Sequence, residues 1–401
     1  MEKMSLKRKL LVIGGSYMNI QMKTDPESQN GTIVSGGEYR YHPYGDSAVT
    51  AIAAAKLGCE CAFSTRFGDD INGRRLYEYY KDCGISKHLM RKDCAAQTGL
   101  CLTLYNDLEA PLSYLSSGAS LRFARVEIDE ALSTSPDLFL APLEEIGYEE
   151  RTVMVPAEQQ PLEIHEDIEE ALMADQMIET SDQPSEMPED EDIKMQEGAL
   201  EDADEENASD TDKVISSETV SSYIRQESLA LYAVQKAEQQ ELDILLQYTP
   251  FTEKYPLESM QHIKMLVISD EMLYSLTGFF PDNTEKTLRA LIALSKRVKA
   301  KYYIVQQGDD SVFVYDGNRY EIVKAPSVLC SDTREIGAKM KQTFIGALAA
   351  EYLESKNIVR ACRLAIVVSL LTRAKFGNLE KMMSRAELEQ YAAEHGIDLY
   401  R

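Results

Sequence analysis

Fifty consecutive residues, 163–212, hold 21 Asp or Glu, one basic side chain (Lys194) and no Phe, Tyr or Trp. Such a stretch cannot bury enough apolar surface to offset the entropy of ordering its backbone, so it is expected to be disordered. Pro184, Pro188 and the acidic runs 189–192 and 204–206 point the same way. Only 164–173 keeps a helical period, with Ile164, Ile168, Ala171 and Leu172 on one face. The consequence for the fold is direct: a core has to be assembled from the two flanks. The stretch also carries −20 of the chain's formal charge of −25, leaving −5 for everything else. The acidic balance argues against a nucleic-acid binder, which needs a basic patch or stripe, and against docking on anionic lipid. For the stretch itself, a passive tail, a solubility device and an arm for a basic protein partner all fit. Nothing gives it a catalytic role.

The flanks are long enough for one large α/β domain or two average ones, and 44% of the 401 residues are hydrophobic. Cys59, Cys61, Cys83, Cys94, Cys101, Cys330 and Cys362 stand at irregular spacings, with no CxxC pair and no Cys/His metal pattern. Reduced, packed thiols in a cytoplasmic protein are expected. No run approaches the roughly 20 apolar residues of a membrane helix. The apolar stretch 10–13 ends at Gly14-Gly15 and is too short for a signal-peptide core. His42, His88, His262 and His395 are scattered without triad or metal spacing, and no metal site is expected.

Outside the acidic stretch, strands alternate with helices. Strands are expected at 9–13, 60–65, 97–105, 112–116, 242–247, 265–268, 302–305 and 312–315. Helices are expected at 47–57 and 72–81, stopped by Gly58 and Gly84, then at 223–240, around 293–298, and at 340–353, 359–371 and 385–395. This order implies a mostly parallel sheet covered on both faces.

Short motifs follow one another through both flanks. Val12-Ile13-Gly14 opens the first strand. Gly45 and Ala48 precede Ala54-Ala55-Lys56-Leu57-Gly58. Arg66-Phe67-Gly68-Asp69-Asp70 has Gly73 three residues on, and Thr98-Gly99 and Ser117-Gly118-Ala119 come next. Leu276-Thr277-Gly278, Gly308, Asp332-Thr333 and Thr343-Phe344-Ile345-Gly346-Ala347-Leu348 complete the series. In this order the motifs resemble the PfkB/ribokinase family of carbohydrate and nucleoside kinases. The resemblance implies a single ribokinase-like α/β domain with a central, mostly parallel sheet, helices on both faces and a small β lid. Residues 1–147 and 220–401 would form its N- and C-terminal parts, the second being the nucleotide half. Residues 148–219 would be the acidic insertion, between two strands of the central sheet. It further implies ATP and Mg²⁺ as cofactors, phosphoryl transfer to a sugar or nucleoside hydroxyl, and homodimerisation through the lid.

The sequence departs from the family where the chemistry would sit. The family's Gly-Ala-Gly-Asp turn at a helix N-terminus stabilises phosphoryl oxygens and supplies the base that takes the hydroxyl proton. Here the turn reads Asp332-Thr333-Arg334-Glu335-Ile336-Gly337-Ala338-Lys339-Met340-Lys341-Gln342. Anchored on Asp332-Thr333, the base position holds Ala338. Anchored on the following helix, which fits better, it holds Gln342, which cannot accept a proton at neutral pH. By resemblance, Gly308, Asp332, Thr333, Gly337, Lys339 and Lys341 are the nucleotide-side candidates. Asn19, Gly45, Asp46 and Val49 are the substrate-side candidates, with Asn19 and Val49 at the family's Asp and Asn. The Asn-x-x-Glu motif reads Ser269-Asp270-Glu271-Met272. Coordinated loss at base, anion hole and metal motif points to an impaired or inactive homologue with a binding or regulatory role. The alternatives are an active kinase with a rearranged site, using Glu335 or Asp332, and an interaction protein acting through its acidic stretch.

Two neighbouring features have plainer uses. Asp69-Asp70 reads first as a turn and helix cap. Tyr39, Tyr41 and Tyr44 read first as packing within the lid or across a dimer, with stacking on a ligand as the alternative.

Overall fold

The first apolar run explains the architecture. In a strand, successive side chains point to opposite faces. Lys9–Ile13 (β1) is buried along its apolar length. Leu10 and Val12 join one core cluster, and Leu11 and Ile13 the other. A strand that is apolar on both faces belongs in a parallel sheet covered by helices on each side. The computed structural model shows this sheet and describes residues 8–24, 36–105, 112–156, 220–308, 311–330, 341–372 and 382–400.

β1 lies between Glu60–Gly68 (β4) and Leu138–Leu140 (β8), parallel to both. Beyond β4 comes Met90–Asp93 (β5). Beyond β8 come Ile244–Gln247 (β11), Ile263–Ser269 (β12) and Ala300–Gln307 (β13), all parallel. Ser311–Tyr315 (β14) and Tyr320–Lys324 (β15) close this nine-stranded sheet as an antiparallel edge.

One face is covered by Asp46–Lys56 (α1), Ile71–Asp82 (α2), Lys341–Ser355 (α8), Ile358–Leu371 (α9) and Arg385–Glu394 (α10). The other is covered by Arg125–Ser133 (α3), Leu229–Gln239 (α4), Asp270–Thr277 (α5) and Thr284–Ser295 (α6). Ser327–Cys330 (α7) is a single turn. A second sheet of four strands is the expected lid, in the order Gly36–Tyr44 (β3), Tyr17–Thr24 (β2), Gly99–Tyr105 (β6), Leu112–Ser116 (β7).

The chain divides into two units, 1–150 with 226–401, and 151–225. Tyr148–Pro156 (β9) and Val220–Ser228 (β10) pair in a two-stranded sheet of their own. The acidic stretch is therefore flanked by these two strands rather than directly by strands of the central sheet. The stretch, with its helical period at 164–173, lies outside the described residues.

The expected helix 223–240 begins later than its periodicity suggested. Residues up to Ser228 are strand, and Ser228 is the N-cap, its hydroxyl accepting from the Leu231 amide at 3.2 Å. Only from Leu229 onward do Leu229, Ala230, Ala233, Val234 and Ala237 form a buried stripe. Helices α3 and α5 are not among the expected elements. They are short, and α5 buries only Leu273.

Candidate active site

In a parallel sheet, ligands bind beyond the carboxyl ends of the strands. Three segments meet there in this chain: the turn after β1, the start of α1, and the loop after β8. Glu144, four residues past β8, ties them together. Its Oε1 accepts from the Gly15 amide at 2.9 Å and its Oε2 from the Asp46 amide at 3.3 Å. The glycines are a steric necessity. A Cβ on Gly14 would meet Ser47 Oγ at 2.0 Å and Glu144 Oε1 at 2.9 Å, and Gly45 adopts φ +115°. As the N-cap of α1, Gly45 offers no side-chain acceptor. Glu144 supplies one from a distant part of the chain, at the end of the helix that favours anions.

Helix α8 reaches the same place. The Thr50 hydroxyl of α1 is placed to donate to Asp46 O at 2.8 Å and to Gln342 O at 3.3 Å, so the first turns of α1 and α8 are adjacent. The Gln342 side chain lies close enough to the Asp46 carboxylate to favour its charged form, as does the Lys341 ammonium. Those effects are outweighed. Asp46 and Glu144 keep some solvent access, yet both sit where desolvation dominates and raises their pKa values. Glu144 is pushed up to about 7, first by burial and then by the charge of Asp46. The pair therefore resists carrying two full charges at neutral pH.

Two phenols border the pair. Tyr17 and Tyr44 have ring centroids 6.5 Å apart. Burial pushes the Tyr17 hydroxyl well above its ordinary range and Tyr44 to about 12, with the nearby carboxylates adding to both. Both stay neutral at physiological pH and keep a proton to donate.

Two residues beyond Tyr17 on β2, Asn19 is 1% exposed. Its Oδ1 accepts from Thr103 at 3.0 Å, while its Nδ2 has no partner. Val49 points into the apolar core beside α8 and is 4% exposed. Gly45, Asp46, Lys341 and Gln342 thus meet at one place, with Asn19 on the lid side. Glu144 was not read from the sequence. Its one signal is position, an acidic pair ending the apolar run 138–143.

The nucleotide-side candidates are only partly described. Gly308 ends β13 with φ +51°, and its amide donates to Asp270 Oδ2 at 3.3 Å. Ser269 caps α5, and Met272 packs against the core instead of presenting a carboxylate. Asp332, Thr333, Gly337 and Lys339, with Glu335, lie outside the described residues. Among the described residues no group of three or more His, Cys, Asp or Glu is placed to hold a metal ion. Asp70 is a cap, as expected: it accepts from Gly73 N and Thr98 N at 2.8 Å each, and these bonds lower its pKa. Tyr39 and Tyr41 are exposed on the lid in edge-to-face contact.

A family model described as pfkB family carbohydrate kinase matches residues 7–135 and 176–383. The chain belongs to this family. Among solved structures it is similar to an Arabidopsis thaliana ribokinase complexed with ribose and ATP, at TM-score 0.62 and 15% identity, covering 96% of this chain and 98% of that one. A Thermotoga maritima ribokinase matches at TM-score 0.62 and 15% identity, covering 97% and 100%. A Burkholderia thailandensis nucleoside kinase in complex with inosine matches at 0.57 and 12%, covering 97% and 98%. At these identities the likeness is one of fold. Aminoimidazole riboside kinase of Salmonella typhimurium (strain LT2) is 32% identical over 113 residues, 28% of this chain. The chain spans about a third of the length of that curated relative, 32%. No described helix is long and apolar enough to cross a membrane.

Proposed function

We propose that this pfkB-family chain binds a sugar or nucleoside between the lid and the carboxyl ends of β1, β4 and β8, and that phosphoryl transfer from ATP is impaired. The observation carrying this reading is Gln342 in the first turn of α8, beside Asp46, where the sequence resemblance puts the family's aspartate base. A glutamine amide cannot take the hydroxyl proton. The packing of Met272 against the core, where the resemblance puts the metal motif's glutamate, weighs the same way. By the family resemblance, Mg²⁺ would accompany the ATP phosphates. The compartment is proposed as the cytoplasm, on the irregular cysteine spacing.

The test joins binding to turnover. Thermal shifts with ribose, adenosine, inosine, ATP and ADP, with and without Mg²⁺, should show ligand-linked stabilisation growing with concentration. ADP release should stay near background, and Gln342→Asp should raise it by about 10²-fold or more, the usual worth of a general base. Robust turnover by the unmodified chain, lost on substituting a cleft residue, overturns the impaired reading.

A second reading, an active kinase with a rearranged site, is favoured by one observation. The Asp46 carboxylate stands beside Gln342, so a proton acceptor is displaced from α8 to α1 rather than missing. Under it, Asp46→Asn abolishes turnover and Gln342→Asp restores it in that background.

A further inference from the structure

The cleft holds two carboxylates against one nearby cation, Lys341, whose ammonium favours the charged form of Asp46. Asp46 and Glu144 converge on the start of α1, and neither forms an ion pair with a Lys, Arg or His among the described residues. The buried acids among the described residues each have one: Asp93 pairs with Arg66 and Arg122, Glu127 with Arg66, and Glu351 with Arg360 and Arg385. The backbone amides of Gly15 and Asp46 occupy the two Glu144 oxygens, which leaves the Asp46 carboxylate facing the cleft with the Gln342 amide and the Lys341 ammonium near it. A neutral polyol would leave that imbalance in place.

The lid adds an independent observation. Asn19 Nδ2 is buried and unpartnered, and a buried donor without an acceptor is costly. Asn19 lies two residues along β2 from Tyr17, so both point to the same face, the one that meets the turn after β1. A ligand oxygen there would satisfy it. Beside it the faces of Tyr17 and Tyr44 suit a cation.

We propose that the cleft selects a hydroxylated ligand bearing a protonated amine, an amino sugar or aminated nucleoside, with its ammonium between Asp46 and Glu144 and a hydroxyl or carbonyl oxygen on Asn19. This rests on the reading that the cleft binds a small hydroxyl-rich ligand. The groups facing the pair are Tyr17 from β2, Tyr44 from β3, Tyr80 from α2, Tyr255 from the loop after β11, and Lys341 at the start of α8. The four tyrosines stay neutral, so Lys341 is the cation the ligand competes with. Near neutral pH an arriving ammonium displaces the proton that the pair retains, and binding releases that proton to solvent.

Isothermal titration at pH 7 with matched probes decides it. The pairs are D-glucosamine against D-glucose, D-galactosamine against D-galactose, and 5′-amino-5′-deoxyadenosine against adenosine. At least one amine should bind tenfold or more tighter than its hydroxyl counterpart, with a heat that changes with the buffer's ionisation enthalpy. Asp46→Asn should cut that ratio below threefold; if it lowers the melting temperature, Glu144→Gln carries the same test. Equal affinities within every pair, or a preference that survives both substitutions, overturns the inference while leaving the cleft a polyol site. No binding by any probe, amine or neutral, overturns the proposed function along with it.

Discussion

Glu144 serves the fold and the site at once. It caps a helix that starts on glycine, from 98 residues away, and it holds the turn after β1. The cost is visible in its protonation. The folded pKa is raised from 4.5 to about 7, so its contribution to stability is fullest below about pH 4.5 and is lost as pH rises through 7. Glu144→Gln, which keeps one acceptor and cannot ionise, should gain on the parent by about 1–3 kcal/mol between pH 5 and pH 8. Urea unfolding at the two pH values checks this, and parallel pH profiles would count against it. Asp70 shows the opposite case. Its capping role could be read locally, because the Gly73 amide it caps lies three residues on, whereas its bond to the Thr98 amide could not. Glu144 could not be read in that way, since its partners sit at residues 15 and 46.

Among the elements, α1 and α8 form the seam that matters. Ala-rich α1 lets α8 approach closely at Gly346, where a Cβ would meet Thr50 O at 2.5 Å and Ala53 Cβ at 2.6 Å. Gly346→Ala should cost about 1–3 kcal/mol through overpacking, read as a lower melting temperature. An unchanged melting curve would mean that the helices can separate at little cost. Both helices, like β1 and β12, were legible because their burial pattern repeats along one contiguous run. The stretch 223–228 was not, because helix text continues unbroken from it and only the Ser228 cap marks the change. The lid was legible through resemblance alone: β3 is mostly exposed and shows no apolar alternation.

For the whole molecule, the charge of −25 separates into a segment at −20 and the remainder at −5. Replacing 163–212 with a short Gly/Ser linker should leave the melting temperature within a few degrees, since loop length changes closure entropy only slowly, about 0.6 kcal/mol per doubling. If the stretch holds a basic protein partner, the same deletion should abolish a complex that weakens with salt. A pull-down unaffected by the deletion rejects that role. The seam between α1 and α8 has one more consequence, which concerns time. The hydroxyl of Thr50 meets the carbonyl of Gln342 across 292 residues, with the acidic stretch between them. A contact so remote in sequence forms late, because its loop entropy is lost before any contact repays it. During synthesis the first half of the sheet emerges with its α1 face bare, and that face must stay soluble until α8 arrives. The cleft thus cannot be completed until α8 has been made.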